Sequence, residues 1–420
     1  MRVFKFGGAS VKDARGVRNV VKVLRAVGHE NTVIVVSAMG KTTRALETVV
    51  QHYFSNKAVL QESVREVKNY HNEILHDLFD SKDHPVFSMV DGFFAELNVF
   101  LDNNTSSDYH FVYDQIVCFG ELIATAIVHH YLQKSGIENN WKDVRNCIKT
   151  DARYRDATVN WEATRKNILR HIAPSAVSVV QGFIGCDPYH FTTTLGKEGS
   201  DYTAAIFAYC LNAESVTIWK DVPGVLNADP RYFENPRLLH RISYTEAIEL
   251  AFYGASVIHP KTLQPLQRKA IPLYVRSFLN PQENGTSVCN GPDLEPQTPC
   301  FILKQNQVLL SVSSLDFSFI MEDHISAIFK QLHHTGMKVD VIQNSAISFS
   351  VCIDNKFNRL EELLSWLRTA FKVDCYENVS LYTIRHATAA AIRQVEAGKT
   401  VLLRQSRKFS EQHTVQLVVK

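Results

Sequence analysis

Along residues 1–280, short β-rich runs repeatedly end in glycine loops that open helical stretches. This alternation calls for an α/β fold, an open and mostly parallel sheet sandwiched by helices, because parallel strands need helical crossovers. Residues 3–6, 32–36, 175–180, 215–219 and 272–277 read as strands, the last one closing the domain. A helix is expected over 13–27. Residues 42–133 read as mostly helical, with breaks near Asn56, Pro85 and the polar run 102–108.

The stretch 281–300 is dense in Pro, Gly, Asn and Gln and reads as a linker. The pattern then becomes strand 307–312, helix 325–334, strands 339–343 and 347–353, helix 360–371 and strand 372–376. That order is a ferredoxin-like split βαβ, an α+β region over 301–385. A strand at 380–385 follows. The tail 386–420 adds a helix at 388–396 and strands at 400–404 and 414–419.

Composition excludes several classes. A net charge of +2 gives no global attraction to nucleic acid or an anionic membrane. No run is read as reaching the roughly 20 apolar residues of a membrane span, and the N-terminal residues lack the apolar core of a secretory signal. The expectation is a cytoplasmic protein with neither nucleic-acid nor membrane partners. The eight cysteines form no C-x-x-C pair and the histidines are dispersed. No metal site is expected, and the thiols read as free in a reducing compartment.

Four loops and one neighbouring loop carry the candidate chemistry. In Lys5-Phe6-Gly7-Gly8-Ala9-Ser10, a strand delivers a lysine and two glycines open a turn. Glycine lets amide groups approach phosphate oxygens, and the lysine adds a full charge. A tight structural turn is the alternative. A lysine between Phe4 and Phe6 in a strand needs an anionic partner to offset its desolvation. In VSAMGKTT (36–43), Val35 stands where a P-loop needs glycine, so that motif fails, and the hydroxyls either cap a helix or face a ligand. LGKEGSDYTAA (195–205) puts Ser200 and Asp201 at a helix start, as a cap or as a ligand grip. QGFIG (181–185) is a neighbouring strand-end loop, and KDVPGV with ADPR (220–225, 228–231) ends another strand in a carboxylate and a turn. Loops at strand C-termini are where open α/β sheets bind ligands.

In this order and spacing the loops resemble the amino-acid kinase family, and KFGGASV, LGKEGSDYTAA and YGASVIHPKTL resemble its aspartate kinases most closely. The resemblance covers residues 1–385. It implies an amino-acid-kinase-type catalytic domain over 1–280, an ACT-like regulatory module over 301–385, and a truncated second ACT-like segment over 386–420. It implies ATP-dependent phosphorylation of the L-aspartate side chain, the first step toward lysine, threonine and methionine. ATP is then the cosubstrate, carrying Mg2+. The alternative is an amino-acid sensor that keeps the fold without catalysis.

By the same resemblance, Lys5 clamps phosphates and stabilises the transition state. Asp201 orients Lys5 or the substrate amine. Gly7 and Gly8 offer amides, with Phe6 beside them in the nucleotide loop. Ser37 and Thr43 line the substrate carboxylate, Glu121 holds the ammonium, and Lys197 and Ser200 hold the α-carboxylate. Lys220, Asp221 and Arg231 line the nucleotide pocket. Lys197 stands where the family usually has Arg, which implies weaker aspartate binding. Ser256 stands where many relatives have a nucleotide lysine, a charge that Lys220 or Lys261 is expected to replace. The usual effector-loop glycine is missing from 313–323, which puts feedback inhibition in doubt. A homodimer through the ACT-like region and an amino-acid effector complete the expectation.

Overall fold

A computed structural model describes residues 1–255, 258–291, 294–316, 318–409 and 412–420, the side chains of Phe409 and Gln412 excepted. The chain forms two compact units. Unit 1 comprises residues 1–225, 238–248 and 257–295, and unit 2 comprises 226–237, 249–256 and 296–420.

Unit 1 begins with β1 (Arg2–Phe6), α1 (Ala14–Val27) and β2 (Thr32–Val36). Five helices follow: α2 (Thr42–Ser55), α3 (Leu60–Leu78), α4 (Pro85–Asn103), α5 (Tyr109–Val117) and α6 (Phe119–Lys134). Next come β3 (Asn140–Lys142), α7 (Trp161–His171), β4 (Ser178–Gln181) and the hairpin β5 (Ile184–Cys186) and β6 (Thr192–Thr194). The remainder is α8 (Gly199–Leu211), β7 (Ser215–Lys220), β8 (Arg241–Ser243), α9 (Tyr244–Tyr253, of which residues 249–253 count with unit 2), α10 (Pro260–Arg268), β9 (Leu273–Ser277), β10 (Thr286–Cys289) and β11 (Leu294–Glu295).

Local chemistry explains the main boundaries. Asp13 starts α1 by accepting from the Gly16 N–H at 2.7 Å. Val17, Val20, Val21 and Leu24 then give the helix one buried face. β2 reads TVIVV and is buried throughout, as a central parallel strand should be. The helical breaks fall where expected: Asn56 ends α2, Pro85 begins α4, and Asn104 ends α4.

The main sheet has nine strands in the order β11-β8-β10-β9-β7-β1-β2-β4-β3. It is parallel except where β10 meets β9 and β11 meets β8. Phe6 lies opposite both Val36 and Trp219, and Val36 lies opposite Gln181. The carboxyl ends of β1, β2, β4 and β7 are therefore level, and their loops leave from one edge. β2 and β4 extend the sheet on one side of β1, β7 and β9 on the other, so this edge holds the topological switch point.

Two expectations are corrected. β9 does not close the sheet. The chain turns back at Gly285 into β10, and the short β8 and β11 pair beyond it, so the stretch read as a linker holds two strands of unit 1. Strands of two to four residues leave no readable periodicity. One stretch, Tyr109–Lys134, is long and apolar enough to cross a membrane by length and composition, and 89% of its apolar window is buried inside the fold. It is α5 and α6, and its apolar residues are core.

Unit 2 contains β12 (Cys300–Ser313), α11 (Glu322–His334), β13 (Lys338–Asn344), β14 (Ser348–Asp354), α12 (Leu360–Ala370), β15 (Lys372–Arg385), α13 (Ala389–Glu396), β16 (Val401–Phe409) and β17 (Gln412–Val419). They form one antiparallel sheet, β13-β14-β12-β15-β17-β16. The elements from β12 to β15 follow the ferredoxin-like order, and the tail extends the same sheet. The two strands expected at 372–376 and 380–385 are one, β15. The polar Glu377-Asn378 looks like a break, but the pairing shifts register there and Asn378 takes φ +56°, so β15 continues through a bulge.

Val308, Leu310 and Val312 of β12 pack in a core with Ile328 and Leu332 of α11 and Leu363, Leu364 and Leu367 of α12. Leu310 is fully buried at the centre. Leu310→Ala is expected to destabilise unit 2 by about 2–5 kcal/mol, through lost transfer energy plus a cavity. Urea unfolding of the full chain, compared with wild type, measures this.

Candidate active site

β1 carries Lys5 to the switch-point edge, opposite Val35 and Ile218. Side chains alternate along a strand, so Phe4 and Phe6 face the other side. There Phe6 stacks on Trp219 with centroids 6.2 Å apart, and Phe4 meets the same ring edge-on at 5.8 Å. This aromatic layer fixes β1 against β7 and leaves Lys5 facing α8. Its Nζ lies 2.7 Å from Asp201 Oδ1, with the two side chains 11% and 4% exposed. The anionic partner that the sequence demanded of Lys5 is therefore Asp201.

The two glycine loops pack directly on each other. The Gly40 N–H donates to Gly8 O at 3.0 Å and the Ser37 N–H to Phe6 O at 3.1 Å. A methyl on Gly8 would come within 2.7 Å of Ala38 O, and one on Gly7 within 3.2 Å of Lys5 Nζ. Phe6 itself is fully buried, so its side chain supports the loop from beneath and does not line it.

Glu121, in the first turn of α6, is buried against the second loop. Its Oε1 accepts from the Ala38 N–H at 3.2 Å, while Oε2 is buried without a partner. Burial pushes its carboxyl up to about 8, against the pull of the Ala38 N–H and the Lys5 charge. A buried carboxylate oxygen without a donor is costly unless a ligand supplies one.

Ser200 and Asp201 occupy the first turn of α8. They do not cap it: the cap position is Glu198, at φ +55°, and no side chain caps the helix. The helix thus starts two residues earlier than a Ser or Asp cap requires, and both side chains are left for the site. A methyl on Gly182 would lie 2.5 Å from Ser200 Cβ, so the QGFIG loop can approach α8 only with glycine there. Phe183 N–H donates to Thr203 Oγ1 at 3.0 Å and completes this junction.

Ser37 and Thr43 are half-buried at the two ends of the second loop, and neither caps α2, whose cap position is Lys41. Thr42 holds that turn instead, donating to Met39 O at 2.7 Å. Lys197 is exposed just before α8, Lys220 is the half-buried last residue of β7, and Asp221 beyond it is exposed. Arg231 belongs to unit 2, where it is exposed and pairs with Asp229 at 2.6 Å. Ser256 lies outside the described residues, and Lys261 pairs with Asp156. The structure therefore brings together Lys5, Gly7, Gly8, Glu121, Asp201 and, through Gly182, Ser200. It does not draw Lys197 or Asp221 into direct contact with them.

Three supporting residues escaped the sequence reading. Asp114 of α5 is buried and accepts from the N–H groups of Arg155 (3.0 Å) and Thr194 (2.7 Å) and from Thr194 Oγ1 (2.8 Å). Burial pushes its carboxyl up to about 6. Gln181 accepts from the Val144 N–H at 2.7 Å and donates to Thr125 Oγ1 at 2.7 Å. His71, held near 4 by burial, sits 3.3 Å from Thr42 Oγ1 behind the second loop. Only Asp114 left a sequence signal, a lone carboxylate inside the apolar run VYDQIV. Among the described residues no group of three or more His, Cys, Asp or Glu converges to hold a metal ion.

Comparison with known proteins places the chain in a family. A family model described as "Amino acid kinase family" matches residues 1–277. The lysine-sensitive aspartokinase 3 of Escherichia coli is 30% identical over 355 residues, covering 84% of this chain and 78% of that protein. The chloroplastic bifunctional aspartokinase/homoserine dehydrogenase 2 of Arabidopsis thaliana is 30% identical over 380 residues, covering 86% of this chain but only 41% of the relative. The chain thus spans less than half the length of that bifunctional relative. The crystal structure of E. coli aspartokinase III in complex with lysine and aspartate (T-state) superposes with a TM-score of 0.84 at 27% identity, covering 100% of this chain and 96% of that one. The same enzyme in complex with aspartate and ADP (R-state) gives 0.81 at 27% identity and the same coverage.

Removing one member of a buried ion pair strands the other charge. Asp201→Asn is expected to destabilise unit 1 by about 3–5 kcal/mol. Adding Lys5→Met should recover most of that loss. Denaturant unfolding of the single and double variants at neutral pH checks both.

Proposed function

The chain belongs to the amino acid kinase family and to its aspartokinases, and from that premise we propose that it transfers the γ-phosphoryl group of ATP to the side-chain carboxylate of L-aspartate. The product is 4-phospho-L-aspartate, the entry to lysine, threonine and methionine synthesis. One observation carries this reading: a buried lysine, paired to Asp201, lies between two interlocked glycine loops beside a buried Glu121 oxygen that lacks a donor.

The chemistry asks for little else. The attacking carboxylate has an ordinary value near ~3.9 and is ionised at neutral pH. No general base is needed, and the task is to bring two anions together and to stabilise the charge on the moving phosphoryl group. Lys5 supplies that charge, and Asp201 keeps its ammonium aimed at the loops. Gly7 and Gly8 leave their amides accessible to phosphate oxygens. The substrate ammonium would satisfy Glu121 Oε2. Ser200 and Lys197 would hold the α-carboxylate, and Ser37 and Thr43 would line the reacting end. Lys220 and Asp221 would serve the nucleotide, with Lys220 supplying the charge absent at Ser256, since Lys261 is held by Asp156. Magnesium enters as the counter-ion of ATP and shields its phosphates; the described residues offer it no cage of their own.

The lysine and aspartate of the E. coli T-state complex support an amino-acid effector for this chain as well. A homodimer through the ACT-like unit 2 and a cytoplasmic location belong to the same reading.

Aspartyl phosphate, trapped as its hydroxamate, tests the activity: wild type should form it only with both ATP and aspartate, and Lys5→Ala should abolish it. The Glu121 carboxyl titrates near 8 in the free protein, whereas pairing with an ammonium requires its ionised form. The kcat/KM for aspartate should therefore rise from pH 6 to pH 8 and level off above. Glu121→Gln should lower it and flatten that profile. Lys197→Arg should lower the aspartate KM, because a guanidinium grips a carboxylate in two places. An unchanged or higher KM would remove Lys197 from the substrate site.

A further inference from the structure

A cavity in unit 1, of about 230 Å³, lies among α7, α8, α10 and the loop 151–159. Trp161, Tyr202 and Pro265 wall it, and Arg153, Lys261 and Arg268 bring three cations to it. Asp156 is the only carboxylate in the lining, and it is bound to Lys261. Neither Arg153 nor Arg268 has a carboxylate partner among the described residues. The cavity therefore carries two uncompensated guanidinium groups around a small space with aromatic walls. The Arg268 charge acts on the Tyr202 hydroxyl, which burial otherwise pushes up, so that hydroxyl and a guanidinium share the cavity. A guanidinium fork and a phenolic O–H suit a tetrahedral oxyanion, and the volume admits one with a small substituent.

From this geometry we propose that the cavity binds a phosphate group, either free phosphate or a small phosphate monoester, and that its occupancy tunes the substrate grip. The link is Asp156. Its Oδ1 lies where a side chain on Gly196 would stand, and Gly196 holds φ +79°. Asp156 thus packs against Gly196, at the start of the loop that leads into Ser200 and Asp201, while Lys261 holds Asp156 in place. A phosphate competes with Asp156 for Lys261, frees the carboxylate and loosens the loop. The bound anion should therefore raise the aspartate KM and leave kcat nearly unchanged. This consequence rests on the proposed aspartate kinase activity; the binding itself does not.

Binding is measured by isothermal titration of the full chain, without ATP or aspartate, with inorganic phosphate in one arm and glycerol 3-phosphate in the other. Lys5→Ala serves as a control that removes the proposed catalytic phosphate clamp. The expected result is saturable binding of at least one anion by wild type and equally by Lys5→Ala. Affinity should fall about tenfold or more in Arg268→Gln and in Arg153→Gln, a loss of ~1.4 kcal/mol each. Both residues are exposed, so the variants should keep the wild-type unfolding midpoint. The tighter anion names the source. In the kinase assay, added anion should raise the aspartate KM of wild type but not of Arg268→Gln. Absence of saturable binding, or variants that bind as tightly as wild type, would overturn the site. Binding that leaves the aspartate KM unmoved would overturn the coupling. Inactive protein that still binds the anion would count against the kinase reading alone.

Discussion

A charged pair taken out of water between Lys5 and Asp201 sets the terms for the rest of unit 1. Burying such a pair rarely stabilises a fold relative to apolar side chains of similar size. Its presence at the one edge where four strand ends are level therefore points to chemistry. The surroundings are arranged around it. Phe4, Phe6 and Trp219 make a rigid apolar layer on the opposite face, so β1 cannot rotate its lysine away. Gly7 leaves space for the ammonium, Gly8 lets the second loop close down, and Gly182 lets the α8 start come near enough for Asp201 to reach it.

The same edge places opposite electrostatic demands on neighbours. Lys5 has an anionic partner, Asp201, at 2.7 Å. Glu121 is as deeply buried, and its burial outweighs the Ala38 N–H and the Lys5 charge, so its carboxyl is pushed up to about 8. In the proposed reading, the ammonium of an amino acid is what would supply the missing partner of Glu121 Oε2. Supporting residues work through backbone geometry: Asp114 ties the loop at Arg155 to β6, and Gln181 ties the end of β4 to the turn at Val144.

Much of this was legible in the residues. The strand–glycine–helix alternation located β1, β2, β4, β7 and β9 and their loops, because parallel strands buried on both faces are continuous apolar runs. Lys5 between two phenylalanines demanded an acid, and Asp201 supplied it. What escaped had no local signature. β8, β10 and β11 have two to four residues each, too few to show a period. The long β15 was cut in two because its bulge at Asn378 resembles a turn. Ser200 and Asp201 looked like helix caps, whereas the backbone starts α8 at a left-handed Glu198 that no propensity favours. The pairing of Lys261 with Asp156 joins residues 105 positions apart, and nothing short of the fold connects them.

The central claim is that the Lys5 ammonium meets the migrating phosphoryl group. Chemical rescue tests it most directly: single-turnover formation of aspartyl phosphate by Lys5→Ala, with and without added methylammonium. The account predicts a rate near zero that returns in part as the amine is raised, with aspartate affinity unaltered. A Lys5→Ala protein that turns over at the wild-type rate without any amine would contradict it.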